Sequence, residues 1–391
     1  MRELKIFFVV ACFTALVYWG VEPYAHSVMK PHVSPANFNF AEEDISFAKS
    51  VLELRQKELN LANEELEKAK TSNDAELIKA AEAKLSGAQK SLDVAQNSLD
   101  ANQKLWDRVE QMGDLSRGDA TKGAEFFATN CYACHGLKSA GLEGNIPDSS
   151  IYGVLPPDLS SAGLLYDEKF LAALIYNPSV ALKVDHKFGE AFVMTAYNES
   201  IGDPTEVVNE NIANVIAYLK EVGKQYDEAK SAEFKKEIED KYSKITDLSP
   251  EANKTMIEKE LAFAKEKNTF IEACGRCHDM RYDSFKSLSA HSDLKNYLGT
   301  VPPDLSMMIR SRGYEYINNF TNNTQKLLAG TAMPRVGLNE EAQAKVLSYI
   351  EKVGDSKKEE RESLGIYIMV FFVILSVFAI AWKRKIWANL H

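Results

Sequence analysis

The 391-residue sequence predicts an all-α chain on three observations. Long stretches repeat apolar residues at helical spacing. The pattern Cys-x-x-Cys-His occurs twice, each time after a helical stretch and ahead of the same downstream landmarks. Each end carries an apolar run of membrane-spanning length. Single cores usually run to about 100–200 residues, so the length points to two or three small domains and not to one large enzyme fold. A formal charge of -10 argues against nucleic acid as a partner. It suits solubility or an acidic face that attracts a basic partner.

The N-terminal run Ile6 to Val21, preceded by Arg2 and Lys5, reads as a transmembrane helix over 4–23. A signal peptide is the alternative, but no small-x-small cleavage site follows, because Pro23 spoils the candidate ending at Ala25. Cys12 lies inside the apolar run and reads as a packed membrane residue. At the other end, Leu364 to Trp382 has no charge over 19 residues, which is about 28 Å of helix. Lys383, Arg384 and Lys385 follow it, so the span assigned to 364–383 ends in the cytoplasm. Both termini are then cytoplasmic and the rest of the chain faces the other side.

Residues 41–112 carry two heptad stripes, Ile45 to Ala69 and Ile78 to Leu99, separated by Thr71-Ser-Asn-Asp74. Turn and N-cap residues at the break predict an antiparallel hairpin with arms of roughly 40 Å. It reads as a scaffold or spacer, with docking to a partner as the alternative.

Two units of one design follow, at 117–224 and 249–356, joined by a charged helical linker at 225–248 where Ser249-Pro250 announces a new helix. The first opens with a helix from Asp119 to Asn130 and closes with one from Asn211 to Val222; the second closes with Glu340 to Val353. Each runs Cys-x-x-Cys-His, then Pro-Pro-Asp-Leu-Ser, then a methionine in a short apolar loop, then the closing helix.

The motifs Cys131-Tyr-Ala-Cys134-His135 and Cys274-Gly-Arg-Cys277-His278 each fit one covalently attached c-type haem. Two cysteines three apart hold the macrocycle and the next residue offers its imidazole to iron. A redox-active dithiol or half a zinc site would explain an isolated Cys-x-x-Cys, but neither needs the histidine both times. The parts are those of small c-type cytochrome domains in tandem, with two haem c groups. Such haems are attached outside the bacterial inner membrane, on the periplasmic side that the charge pattern gives.

His135 and His278 are the expected proximal ligands, and methionine is the natural sixth ligand for an iron that only passes electrons. Met333, followed by the stiffening Pro334, lies 55 residues after His278; Met194 lies 59 after His135 and lacks the proline. His186 is the rival for the first iron. Met280, Met307, Met308 and His291 precede the expected ligand loop and read as packing or surface residues, and His26 and His32 as interfacial ones. In the Pro-Pro-Asp-Leu-Ser loops a fixed carbonyl can accept the imidazole's other N–H. Pro156 and Pro302 are the candidates, against a plain rigid turn.

These landmarks and the C-terminal anchor ending Lys-Arg-Lys-Ile-Trp resemble the cytochrome c1 subunit of quinol–cytochrome c reductase. Two haems, a hairpin and an apolar N-terminus depart from its usual form, and are similar to the dihaem version in some bacterial cytochrome bc complexes. The resemblance implies electrons arriving from a Rieske iron–sulfur protein, cytochrome b as membrane partner and a cytochrome c acceptor. It carries over Cys131, Cys134, His135 and Met194 for one haem, and Cys274, Cys277, His278 and Met333 for the other. The chain is then no enzyme on its own but an electron-transfer subunit of an oxidoreductase complex. Two other readings are a dihaem subunit of a haem–copper oxidase, against which the C-terminal anchor weighs, and a dihaem peroxidase. The peroxidase needs an open iron and an acid–base pair that no residues obviously supply.

Overall fold

The heptad stripes fold as a two-helix hairpin, and the rest of the chain is built upon its base. A computed structural model describes residues 2–21, 24, 38–72, 74–144, 146, 153–184, 187–188, 191–192, 194–245 and 249–388. In chain order the helices are α1 (Arg2–Leu16), α2 (Phe40–Thr71), α3 (Ala75–Gln111), α4 (Ala120–Asn130), α5 (Ala162–Leu165), α6 (Glu168–Tyr176), α7 (Pro178–Leu182) and α8 (Thr205–Tyr242). After these come α9 (Pro250–Ala273), α10 (His291–Leu298), α11 (Met308–Arg312), α12 (Tyr314–Asn322), α13 (Thr324–Leu327), α14 (Glu340–Gly354) and α15 (Lys358–Ala388). The strands among the described residues are two-residue pieces, β1 (Lys187–Phe188) and β2 (Ala191–Phe192), paired antiparallel.

Asn39 and Asp74 cap the two arms, each accepting a hydrogen bond from the first turn that it starts. With 32 and 37 residues the arms reach about 48 and 56 Å, longer than the roughly 40 Å expected. The difference arises at the base, where α3 runs on through Leu105, Trp106 and Val109. These join Phe40 and the first unit's Phe170, Leu171 and Ile212 in one core.

In the first unit, α4 crosses the closing helix α8 with Phe127 against Tyr218, ring centroids 6.0 Å apart. The crossing depends on Gly123, where a Cβ would lie 2.0 Å from the carbonyl oxygen of Asn214. In the second unit, α9 crosses α14 with Phe270 against Tyr349 at 4.8 Å. The closing helix of the first unit was expected to stop at Val222, before a separate linker. Instead α8 runs unbroken from Thr205 to Tyr242. Gly223 does not end it; its bare Cα lets α5 approach, a Cβ there lying 3.1 Å from Leu164. The extension of α8 packs on α9 through Tyr226 with Asn268 and Glu272, and Lys241 with Glu260.

The two units meet through main chain. Tyr166 bridges Leu338, Asp167 N–H donates to Gly337 at 3.1 Å, and Asn339 N–H donates to Leu165 at 2.8 Å. Leu165 lies in the same core as Cys274, Phe270 and Met280. Two helices, Leu4–Val21 and Ser363–Ala388, are long and apolar enough to cross a membrane and bury nothing against the rest of the chain. The second begins close behind α14, and Arg361 holds Asp355 through two bonds of 2.9 and 2.7 Å across the intervening turn.

Gly123→Val is expected to cost about 1–3 kcal/mol by overpacking the α4–α8 crossing. Gly87→Ala, in an exposed helix with nothing within 4 Å, is expected to be neutral or to stabilise by up to about 1 kcal/mol. Denaturant titration of the full chain in detergent checks both. A second expectation concerns acid. Arg108 of α3 grips Glu199 of the first unit through Nε and Nη2 at 3.1 and 2.8 Å, and Tyr176 donates to the same carboxylate at 2.8 Å. Partial burial pushes Glu199 up, but the bonds from Arg108, its own backbone and Tyr176 prevail and hold it at about 2. A depressed carboxylate stabilises above its unfolded value and loses that contribution as pH falls toward its folded one. The unfolding midpoint of wild type should therefore fall between about pH 4.5 and 2 more steeply than that of Glu199→Gln, as measured by midpoint against pH.

Candidate functional site

Each Cys-x-x-Cys-His motif forms the turn that ends a helix. Cys131 caps α4, donating to Phe127 at 2.9 Å, and the turn closes as Cys134 and His135 donate to the Cys131 carbonyl at 3.0 and 2.9 Å. Cys274 caps α9 by donating to Phe270 at 2.8 Å, and Cys277 and His278 donate to its carbonyl at 3.1 and 3.0 Å. A short loop then folds back on itself, bridging Leu137 to Leu142 in one case and Met280 to Phe285 in the other.

The Pro-Pro-Asp-Leu-Ser loop lies against this turn in both units. His135 Nδ1 sits 2.9 Å from the carbonyl oxygen of Pro157, and His278 Nδ1 sits 2.8 Å from that of Pro303. The expected acceptors were Pro156 and Pro302; the carbonyl in each case belongs to the second proline of the pair. A carbonyl only accepts, so Nδ1 carries the proton. Burial holds both imidazoles below the ordinary histidine range, partly offset by the carbonyl bond, so they are neutral and Nε2 keeps a free lone pair. That tautomer is the one a metal-binding imidazole needs.

The aspartate of the loop pins it. Asp158 accepts from Lys138 N–H and Ser160 N–H, both at 3.0 Å; Asp304 accepts from Arg281 N–H at 3.1 Å and from Ser306 N–H at 3.2 Å. The serine completes it, Ser160 Oγ accepting from Ser139 N–H and Ser306 Oγ from Tyr282 N–H. Sequence reading overlooked these two aspartates although the repeated Pro-Pro-Asp-Leu-Ser string displayed them.

The four thiols are free. Burial, with the neighbouring Cys134, pushes Cys131 up to about 11; burial, with Cys277, pushes Cys274 up to about 12; burial raises Cys277. A disulfide oxidoreductase needs the opposite, a stabilised thiolate. Among the described residues no three of Cys, His, Asp and Glu gather to hold a bare ion, which weighs against half a zinc site. Protonated thiols beside a neutral imidazole fit thioether attachment of haem. Arg276 adds to the fit: its Nε is buried without a partner, and a haem's acid side chains are acceptors of the kind it lacks. Its charge reaches the other unit, acting on His135 and Tyr166.

Met333 is half-buried in a braced loop. Its N–H donates to Thr331 Oγ1 at 3.3 Å, and Gln325 spans the loop by donating to Thr331 O and accepting from Gly330 N–H, both at 2.9 Å. Met194 is half-buried after β2, three residues before Tyr197, whose N–H donates to Ile175 at 2.9 Å. His186, His26 and His32 lie outside the described residues. Met280 is fully buried in the second core, Met307 is exposed and takes a bond from the Tyr282 hydroxyl, and His291 pairs with Asp279 at 3.2 Å.

Residues 120–223 match the family model of cytochrome c, so this part of the chain is a cytochrome c domain, which carries covalently bound haem c. Neither the curated proteins nor the solved structures give a match to the chain.

Asp158→Ala and Asp304→Ala are each expected to cost about 1–3 kcal/mol, since amides inside the loop lose a charged acceptor. The corresponding asparagine variants should lose less. Denaturant midpoints of the four proteins decide it.

Proposed function

We propose that the chain is a membrane-anchored dihaem cytochrome, passing electrons from the iron–sulfur protein of a quinol–cytochrome c reductase to a cytochrome c acceptor. The observation that carries the two-site reading is the recurrence of the proline-carbonyl bond at His278. A second turn with the same caps, the same aspartate and the same serine has no need of that bond unless its histidine serves the same ligand. On this reading 249–356 is a second cytochrome domain.

Haem, when bound, supplies an iron that cycles between two oxidation states by one electron. The chain does the rest. Cys131 with Cys134, and Cys274 with Cys277, would hold the two macrocycles, and His135 and His278 would present Nε2 to the irons. Pro157 and Pro303 fix the ring planes and raise the basicity of Nε2 through Nδ1–H. Met194 and Met333 would supply the remaining iron ligands; a thioether in that role favours the reduced iron and a high potential, which suits a late respiratory carrier. Arg276 would take a haem carboxylate.

The quinol–cytochrome c reductase setting is supported by the apolar helices at both ends and by the basic run Lys383-Arg384-Lys385, which suits a cytoplasmic C-terminus and periplasmic haem units. The short, ion-paired turn between α14 and α15 favours a second unit held close over the membrane, where cytochrome b and the iron–sulfur protein would work. In this setting the subunit catalyses nothing alone.

Two measurements test the proposal. Replacing Cys131 and Cys134 by alanine, or Cys274 and Cys277, should each reduce covalent haem from two per chain to one, read as haem per protein in denatured samples. A wild-type value of one sinks the two-site reading. The native complex should carry cytochrome b and an iron–sulfur protein; a copper-containing oxidase core in their place overturns the assignment of partners.

A further inference from the structure

The hairpin is needed neither to attach haem nor to anchor the chain, yet it delivers one carboxylate to the centre of the molecule. Asp44, in the second turn of α2, is fully buried. It accepts from Trp106 Nε1 at 2.9 Å, from Arg335 Nη1 at 2.8 Å and also from Arg335 Nη2, and it pairs with Lys183 Nζ at 2.9 Å. Trp106 belongs to the other arm of the hairpin, Lys183 to the first unit and Arg335 to the second.

Arg335 is held on every side. Its Nε donates to the Asn322 carbonyl at 2.8 Å, its guanidinium lies 5.1 Å over the Phe40 ring, and its own N–H donates to Leu182 of the first unit at 3.0 Å. The side chain is wholly inaccessible. A guanidinium in such a place survives only with a partnering anion, and Asp44 is the carboxylate given to it. Only Pro334, with its fixed φ, separates Arg335 from Met333. The far end of the methionine loop is thus anchored by a residue of the hairpin, some 290 positions earlier in the chain.

We propose that Asp44 is a positioning residue for the sixth ligand of the second haem site, acting through Arg335 to hold the Met333 loop at the iron. The hairpin is then the brace of that ligand as well as a spacer. This rests on the reading of Met333 as that ligand, and the test separates the two.

The test uses full-length holoprotein in detergent and three readouts: covalent haem per chain, the weak near-infrared-edge band of methionine-bound ferric haem, and the share of ferrous haem that takes up carbon monoxide. Asp44→Asn keeps the shape and an acceptor for Trp106 but removes the charge. Its haem content should equal wild type, while about half of the near-infrared band is lost and about one haem per chain becomes reactive to carbon monoxide. Met333→Ala should give the same spectra. If Met333→Ala leaves the band whole, the ligand reading fails and this proposal with it. If Met333→Ala loses the band and Asp44→Asn keeps it, only the positioning role is overturned, whatever the loss of stability. Gly123→Val controls for general destabilisation and should keep the band. Should Asp44→Asn not accumulate, Arg335→Lys decides instead: it keeps the buried cation but loses the two-pronged grip, so band loss supports the brace and a full band overturns it.

Discussion

A proline carbonyl set against a histidine ring is the constraint from which both sites follow. The residue before a proline is confined to extended backbone, and proline itself has a locked φ. In Pro156-Pro157 and Pro302-Pro303 the first residue is restricted both ways and the second has a locked φ, so the backbone leading up to the acceptor carbonyl is stiff. Asp158 and Asp304 then tie the loop down, each accepting from an amide ahead of it, Lys138 or Arg281, and from the serine that ends it, Ser160 or Ser306.

The duplicated design is not copied evenly. Phe127 and Tyr218 recur as Phe270 and Tyr349, and the Asn177 that caps α7 recurs as Asn323, with φ of -150° in both. The crossing itself differs. Three residues into α4, Gly123 lets the closing helix approach until its backbone almost touches; the matching place on α9 holds Glu266. That carboxylate takes Lys352 at 2.7 Å and Ser348 at 3.0 Å from α14. Close backbone approach in one unit is replaced by a polar clasp in the other. The tyrosine follows suit, Tyr349 donating to Asp283 at 2.6 Å, with Lys267 paired to the same carboxylate at 2.8 Å. The family match covers the unit with the glycine crossing.

How much was legible in the chain follows the range of the interactions. The Cys-x-x-Cys-His turns, the loops after them and the hairpin's break at Asp74 are local: a few neighbouring residues determine each, and the strings of the turns and loops repeat. The true end of α8 was not local: the helix runs on from Val222 to Tyr242 by packing on α9, and Gly223 is where α5 approaches through Leu164. Asp44 was beyond reach for another reason. It is one of 56 acidic residues, on a helix whose first turn already holds Glu42 and Glu43, and its partners Trp106, Lys183 and Arg335 stand 62, 139 and 291 positions further on. No spacing rule links residues that only tertiary packing brings together. The proline acceptor was legible to within one residue, since the pair was visible but the direction of its carbonyls was not.

The joint between the units bears on how electrons would cross it. Independent domains on a tether would have to collide for each transfer, with a rate set by diffusion of the linker. Here main-chain bonds run between Asp167 and Gly337, Asn339 and Leu165, and Arg335 and Leu182. Leu165 packs into the core that holds Cys274, and Ser161 of the first unit donates to Glu272 at 2.8 Å, two residues before that cysteine. The Cys274 turn is therefore packed against the segment that follows the Pro-Pro-Asp-Leu-Ser loop of the first unit. Arg276 lies in this joint, and its charge acts across it to lower His135 and Tyr166. A bonded joint fixes the distance between the two Cys-x-x-Cys-His turns once, during folding, so on the dihaem proposal the gap an electron would cross is set by the fold and not by the diffusion of a linker.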